Sequence, residues 1–137
     1  MKITLALLTF FLLACAKDDG PKFTSSEGNW TYTTPDGKIA VTFEVIKSGT
    51  NFDIKSQTIT VDGTLCNAEK EVVNFTSTSV EKIRINANDA KVTYPFNIVF
   101  NSGVISDDFK KITVPVATYT FPWGTDVSLA DIEITRK

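Results

Sequence analysis

The chain has 137 residues, 14 basic and 16 acidic side chains and no histidine, for a net charge of −2. That balance excludes electrostatic nucleic-acid binding, which needs a clustered basic surface. The missing histidine removes Ser-His-Asp and Cys-His catalysis and histidine-bound zinc.

The chain opens on one basic residue, Lys2, and an uncharged apolar run from Ile3 to Ala14. The run is too short to cross a bilayer as a helix, which takes about 20 residues. With a small residue at its end it reads as a secretory signal. Its last residues, Leu12-Leu13-Ala14-Cys15, resemble the bacterial lipoprotein signal. The resemblance implies a signal peptide over residues 1–14, removed at Cys15, whose thiol carries diacylglycerol and whose new amino group is acylated, typically with palmitate. Each buried methylene contributes about 0.8 kcal/mol, so several chains hold a protein on a membrane without help from its fold.

Ala16 stands where an aspartate retains many lipoproteins in the inner membrane. Lys17-Asp18-Asp19 resembles the signal that sends Bacteroides-type lipoproteins to the outer face of the outer membrane. The same triplet, with Gly20, Pro21 and Ser25-Ser26, also reads as a solvated tether. Residues 15–27 are therefore expected to be a lipidated cysteine and flexible tether, and residues 28–137 a β-domain. From Cys15 onward the chain has 123 residues and a net charge of −3. That is one domain, able to bury about two thirds of its unfolded surface.

Beyond the tether the pattern is period two. Val41, Phe43 and Val45 alternate with Thr42 and Glu44, and the same alternation returns around Ile83, Tyr94, Val114 and Ile134. Turn chemistry separates the runs at Thr34-Pro35-Asp36-Gly37, Lys47-Ser48-Gly49-Thr50, Asp62-Gly63, Asn86-Ala87-Asn88-Asp89 and Asn101-Ser102-Gly103. The spacing predicts about eight strands, near 29–34, 38–47, 51–62, 70–77, 80–87, 90–100, 110–120 and 126–136. Pro95 and Pro115 cannot donate to a ladder and are expected at an edge or a bulge. The fold class expected is all-β: a single antiparallel β-sandwich, with an eight-stranded lipocalin-like barrel as the alternative.

The alternative rests on Gly28-Asn29-Trp30, which resembles the Gly-x-Trp opening the first strand of lipocalins, with Arg136 as the basic residue that packs across that tryptophan. A lipocalin's helical segment is not visible in the sequence, and the connection from Ser102 to Phe109 does not read as a tight hairpin. A tryptophan pinning the first strand of any β-domain gives the same pattern.

Few residues carry chemistry. With Cys15 lipidated, Cys66 has no partner for an internal disulfide and is expected to be buried and structural. Glu44, Glu69, Glu71, Glu81 and Glu133 fall where alternation or a turn sends them to solvent, unsuited to a paired-carboxylate hydrolase. Asp107-Asp108 with Asp126 is an oxygen set for calcium only if the fold joins them. No catalytic residue, metal or cofactor is therefore expected. The aromatic residues are more suggestive, Trp30, Tyr32, Tyr94, Tyr119, Phe121 and Trp123 among them. Trp123, in the turn Phe121-Pro122-Trp123-Gly124, either stacks on a sugar or protein partner or folds back to cap the core. The expectation is a non-catalytic binding or interaction module on the outer membrane, facing the exterior, whose candidate ligand residues are Trp123, Tyr119 and Phe121. A glycan or a surface protein complex is the expected partner, and a carrier of a small apolar ligand is the alternative.

Overall fold

A computed structural model describes residues 20–88, 96–120 and 126–137. Nine strands follow one another: β1 (Gly28–Thr33), β2 (Ile39–Ser48), β3 (Asn51–Val61), β4 (Thr64–Cys66), β5 (Ala68–Phe75), β6 (Ser79–Ala87), β7 (Phe96–Ile105), β8 (Lys111–Thr120) and β9 (Asp126–Arg136). All pair antiparallel in one sheet, in the order β4-β3-β2-β1-β9-β8-β7-β6-β5. The order follows the chain except where β9 pairs with β1, so the sheet rolls up into a nearly closed, barrel-like form. The all-β expectation holds, and the connectivity is that of one rolled sheet. Seven of the eight expected strands recur closely. The eighth, expected at 90–100, is described from Phe96 and runs on to Ile105, and the short β4 is additional.

The strand from Thr64 to Phe75 closes the roll. Its first part, β4, pairs with the end of β3 through Ile59↔Cys66 and Val61↔Thr64. After Asn67 it leaves β3 and pairs with β6 instead. Below that point β3 and β5 face each other across a seam bridged by side chains. Gln57 Nε2 donates to the Ala68 carbonyl at 2.7 Å. Lys70 Nζ donates to Asp53 Oδ1 at 2.7 Å and to the Ile54 carbonyl. A lysine turned in toward such a seam covers edge carbonyls that would otherwise recruit another strand.

A crease crosses the other five strands. Each ladder from β5 to β9 is interrupted at the same level: Asn74 opposite Glu81, Glu81 opposite Ser102, Ser102 opposite Pro115 (with Gly103 opposite Val114 next to it), and Pro115 opposite Asp131. Asn74, Ser102 and Asp131, on alternate strands, have φ of 45°, 57° and 50°. Two successive residues face outward there, as Pro115 and Val116 do between buried Val114 and Ala117. The register is the same on both sides, so each pair of strands carries the extra outward residue on both members, a paired form of the β-bulge, which bends a strand and increases its twist. Pro115 thus lies at a bulge, as expected, whereas Pro95 lies outside the described residues. Asn101-Ser102-Gly103, expected as a reversal, runs inside β7 instead. The left-handed turn of the backbone at Ser102 makes a bulge, and both neighbouring ladders continue past it. The true reversal is at 106–110, shortening the connection expected between Ser102 and Phe109.

One apolar core fills the interior, with Trp30, Phe43, Phe75 and Phe100 its largest fully buried side chains. Cys66 is buried among them, its thiol donating to the Thr64 carbonyl at 3.3 Å. Trp30 anchors the end where the chain enters β1, and there Ser26, expected in a flexible tether, is buried against the domain. The Trp30 indole N–H donates to the Ser26 carbonyl at 2.9 Å. Arg136 lies over its ring at 5.6 Å and over the Phe23 ring at 3.9 Å. Arg136 Nη1 also donates to the Ser25 and Phe109 carbonyls. Gly28 must be glycine here. Its φ is 129°, and a Cβ would meet Arg136 Nη2 at 2.8 Å.

Candidate functional site

Strand direction gives the roll two unlike ends. β1 leaves the tether end at Gly28 and finishes at Thr33, and by the ladders that second end also holds Ile39, Val61, Ala68, Ala87, Phe96, Thr120 and Asp126. We call it the mouth. Residues 121–125 join Thr120 to Asp126, which pair with each other there.

The turn from β1 to β2 is built by its own side chains. Thr34 Oγ1 donates to Asp36 Oδ1 at 2.6 Å and accepts from Ile39 N at 3.1 Å, while Lys38 N donates to the same carboxylate oxygen at 3.1 Å. These bonds, that from Thr34 foremost, hold the Asp36 carboxyl below its ordinary pKa. Behind the turn two tyrosines point into the roll. Tyr32 is 6% exposed, and its ring meets Phe100 edge-to-face with centroids 5.5 Å apart. Tyr119 is 8% exposed and packs 6.0 Å from Phe96.

The Tyr32 hydroxyl is buried and has no hydrogen-bond partner among the described residues. Burial, then the neighbouring Tyr119 and Asp36, push its pKa above the ordinary phenol value. Such a group costs about 1–3 kcal/mol, so a native structure that keeps one raises the question of what it serves.

Of the three candidate ligand residues, Tyr119 is an inward, buried wall of this mouth, while Phe121 and Trp123 lie outside the described residues. So do Cys15, Lys17, Asp18 and Asp19 of the lipidation and export signals, and Tyr94. Asp107 and Asp108 sit in the β7–β8 turn at the tether end, whereas Asp126 begins β9 at the mouth. The strands hold them apart, so the calcium set does not assemble. Among the described residues no three such side chains gather as a metal site. The glutamates do not pair as acids. Glu44 meets Lys55, Glu71 meets Lys82 and Arg84, and Glu133 meets Lys111, all at the surface.

Tyr32 belongs to this mouth more clearly than sequence reasoning placed it. Its signal is simple alternation: two residues after Trp30, it faces the same interior. No protein-family model matches the chain, and neither the curated proteins nor the solved structures give a match.

Proposed function

We propose that the chain is a lipid-anchored, non-catalytic binding module of the outer membrane, facing outward, whose mouth engages a glycan or a protein partner. The observation that best supports this is the opposition of its two ends. The tether enters at Gly28 and is held by Arg136 and Trp30, while the mouth lies a strand's length away, at about 3.3 Å per residue. Between Cys15 and Phe23 the chain can reach at most about 29 Å. An anchor at Cys15 would therefore hold the tether end near the membrane and turn the mouth outward. A core already filled by Trp30, Phe43, Phe75 and Phe100 favours a ligand bound at the end over one carried within.

Labelled palmitate and added protease test this in intact cells. Wild-type chain should take up label and be released by protease, and Cys15→Ser should take up none. Equal labelling of both overturns the anchor, and protection of the wild type overturns the outward orientation. Replacing Asp18 and Asp19 by alanine should protect the domain.

A second reading, a carrier of a small apolar ligand, is favoured by the near closure of the sheet and by the Tyr32 hydroxyl, buried with no partner among the described residues. Mass spectrometry of solvent extracts from purified protein would detect the cargo. A stoichiometric apolar molecule favours the carrier, and its absence favours the binder.

A further inference from the structure

We propose a second ligand site on the outer face of the crease, remote from the mouth, that takes a neutral polyhydroxylated ligand such as a short glycan. An open groove of about 400 Å³ lies there, within the size range of small-molecule sites. Asn74, Glu81 and Ser102 line it together with Val80, Gly103 and Val104.

The crease puts these polar groups in a row. Asn74, Glu81 and Ser102 hold the same level on β5, β6 and β7, and adjacent strands are about 4.8 Å apart. Asn74 and Ser102 both have left-handed backbone, a conformation that costs energy and re-aims the side chain it carries. Among the described residues, two of the five such non-glycine residues thus border one groove.

The groups are set before any ligand arrives. Asn74 Nδ2 donates to Glu81 Oε2 at 2.5 Å, which fixes the carboxamide and the carboxylate against each other. That leaves Asn74 Oδ1 and Glu81 Oε1 to accept, and the second Asn74 N–H and the Ser102 hydroxyl to donate, so the ligand must offer both donors and acceptors. Glu81 repels an anion, and a single carboxylate without other acidic ligands is a poor cation site. Beside the polar row stands Val104, 59% exposed, with Val80 beneath. Hydroxyls, which both donate and accept, spaced along a body with an apolar C–H face match that surface, and a sugar ring combines them.

The test is a methyl NMR titration of the full-length chain with maltotriose, cellotriose and chitotriose in turn. At least one should give saturable shifts of the Val80 and Val104 methyls. Glu81→Gln, or Asn74→Gly, which suits the left-handed backbone, should weaken that binding at least about tenfold, as loss of a charge-assisted hydrogen bond does. Both residues are exposed, and unshifted core methyls would show each variant folded. No saturable shift at Val104 with any of the three overturns the site, as does undiminished binding by the double variant. Trp123→Ala should leave the titration unchanged. If it abolishes the shifts, the sugar binds at the mouth and the groove is not a site, so the two readings fail separately.

Discussion

The Arg136 guanidinium lies 5.6 Å from the centre of the Trp30 ring, and the two residues are direct partners across the β9–β1 ladder. That ladder registers only Trp30↔Arg136 and Thr31↔Thr135, so the join between the first and last strands leans on side chains. Arg136→Ala removes two cation–π contacts and two donations to carbonyls, and should lower stability by about 2 kcal/mol. Arg136→Lys keeps the charge without the planar fork and should fall between. Trp30→Ala, which empties the core beneath, should cost about 3–5 kcal/mol. Urea midpoints measure all three. An Arg136→Ala midpoint equal to wild type would mean that the join does not depend on the arginine.

The crease makes opposite demands on two substitutions at one position. Ser102 has φ 57°, a region costing a residue with a Cβ about 1–2 kcal/mol. Ser102→Gly should therefore raise the denaturation midpoint, by up to about 1 kcal/mol once glycine's extra unfolded-state entropy is counted. Ser102→Val, branched at Cβ, should lower it by more than that. Asp131→Gly should gain less, because aspartate tolerates left-handed backbone better than serine does. If Ser102→Val is as stable as Ser102→Gly, the bulge is not strained.

Most of the strands were legible because alternation is read residue by residue, and Val41-Thr42-Phe43-Glu44-Val45 states its buried face outright. The Gly28, Trp30 and Arg136 cluster was legible for a similar reason, since those residue types have few other uses at the two ends of a sheet. The crease was not legible. A bulge turns two neighbours outward, so Pro115-Val116 breaks the period that identifies a strand, and Asn101-Ser102-Gly103 carries the same chemistry in a bulge as in a turn. The seam was hidden differently. Lys70 looks like a surface charge until β5 is known to face β3, and no local pattern records a pairing that side chains make in place of backbone. At the mouth, the sequence marks Tyr32 only as one aromatic residue among several, because a buried hydroxyl without a partner among the described residues is a property of three-dimensional surroundings.

Tyr32→Phe separates structure from function at that mouth. Deleting a buried hydroxyl that has no partner among the described residues should leave stability unchanged or raise it by about 1 kcal/mol. The same change should weaken any ligand that supplies the missing partner. The raised pKa means the folded state holds the phenolic proton more tightly than the unfolded chain. Its stabilising contribution is then complete below the ordinary phenol value near 10 and is lost as pH rises through the folded value. Wild type should lose stability more steeply than Tyr32→Phe above about pH 10. A markedly destabilised Tyr32→Phe would show that the hydroxyl has a structural partner after all.

The seam offers the corresponding experiment in acid. The hydrogen bond from Lys70 is the largest cause holding the Asp53 carboxyl below its ordinary pKa, against a smaller opposing effect of burial. A depressed carboxylate pKa stabilises the fold above the unfolded value near 3.9, and that contribution disappears as pH falls through the folded value. The Asp53 side chain is 46% exposed, so the ion pair is worth no more than about 1 kcal/mol. Asp53→Asn should be less stable than wild type by about that amount at neutral pH, and the two should converge below about pH 3. Part of the acid slope will remain in the variant, because Asp36, Glu71 and Asp108 are depressed as well. Lys70→Met should abolish the same part of the slope from the other side of the seam, while uncovering the Ile54 carbonyl on β3. A β3 edge opened in this way should self-associate at high concentration, visible by sedimentation. Parallel acid profiles for wild type, Asp53→Asn and Lys70→Met would show that the seam is held by its apolar contacts alone, with the ion pair a surface ornament.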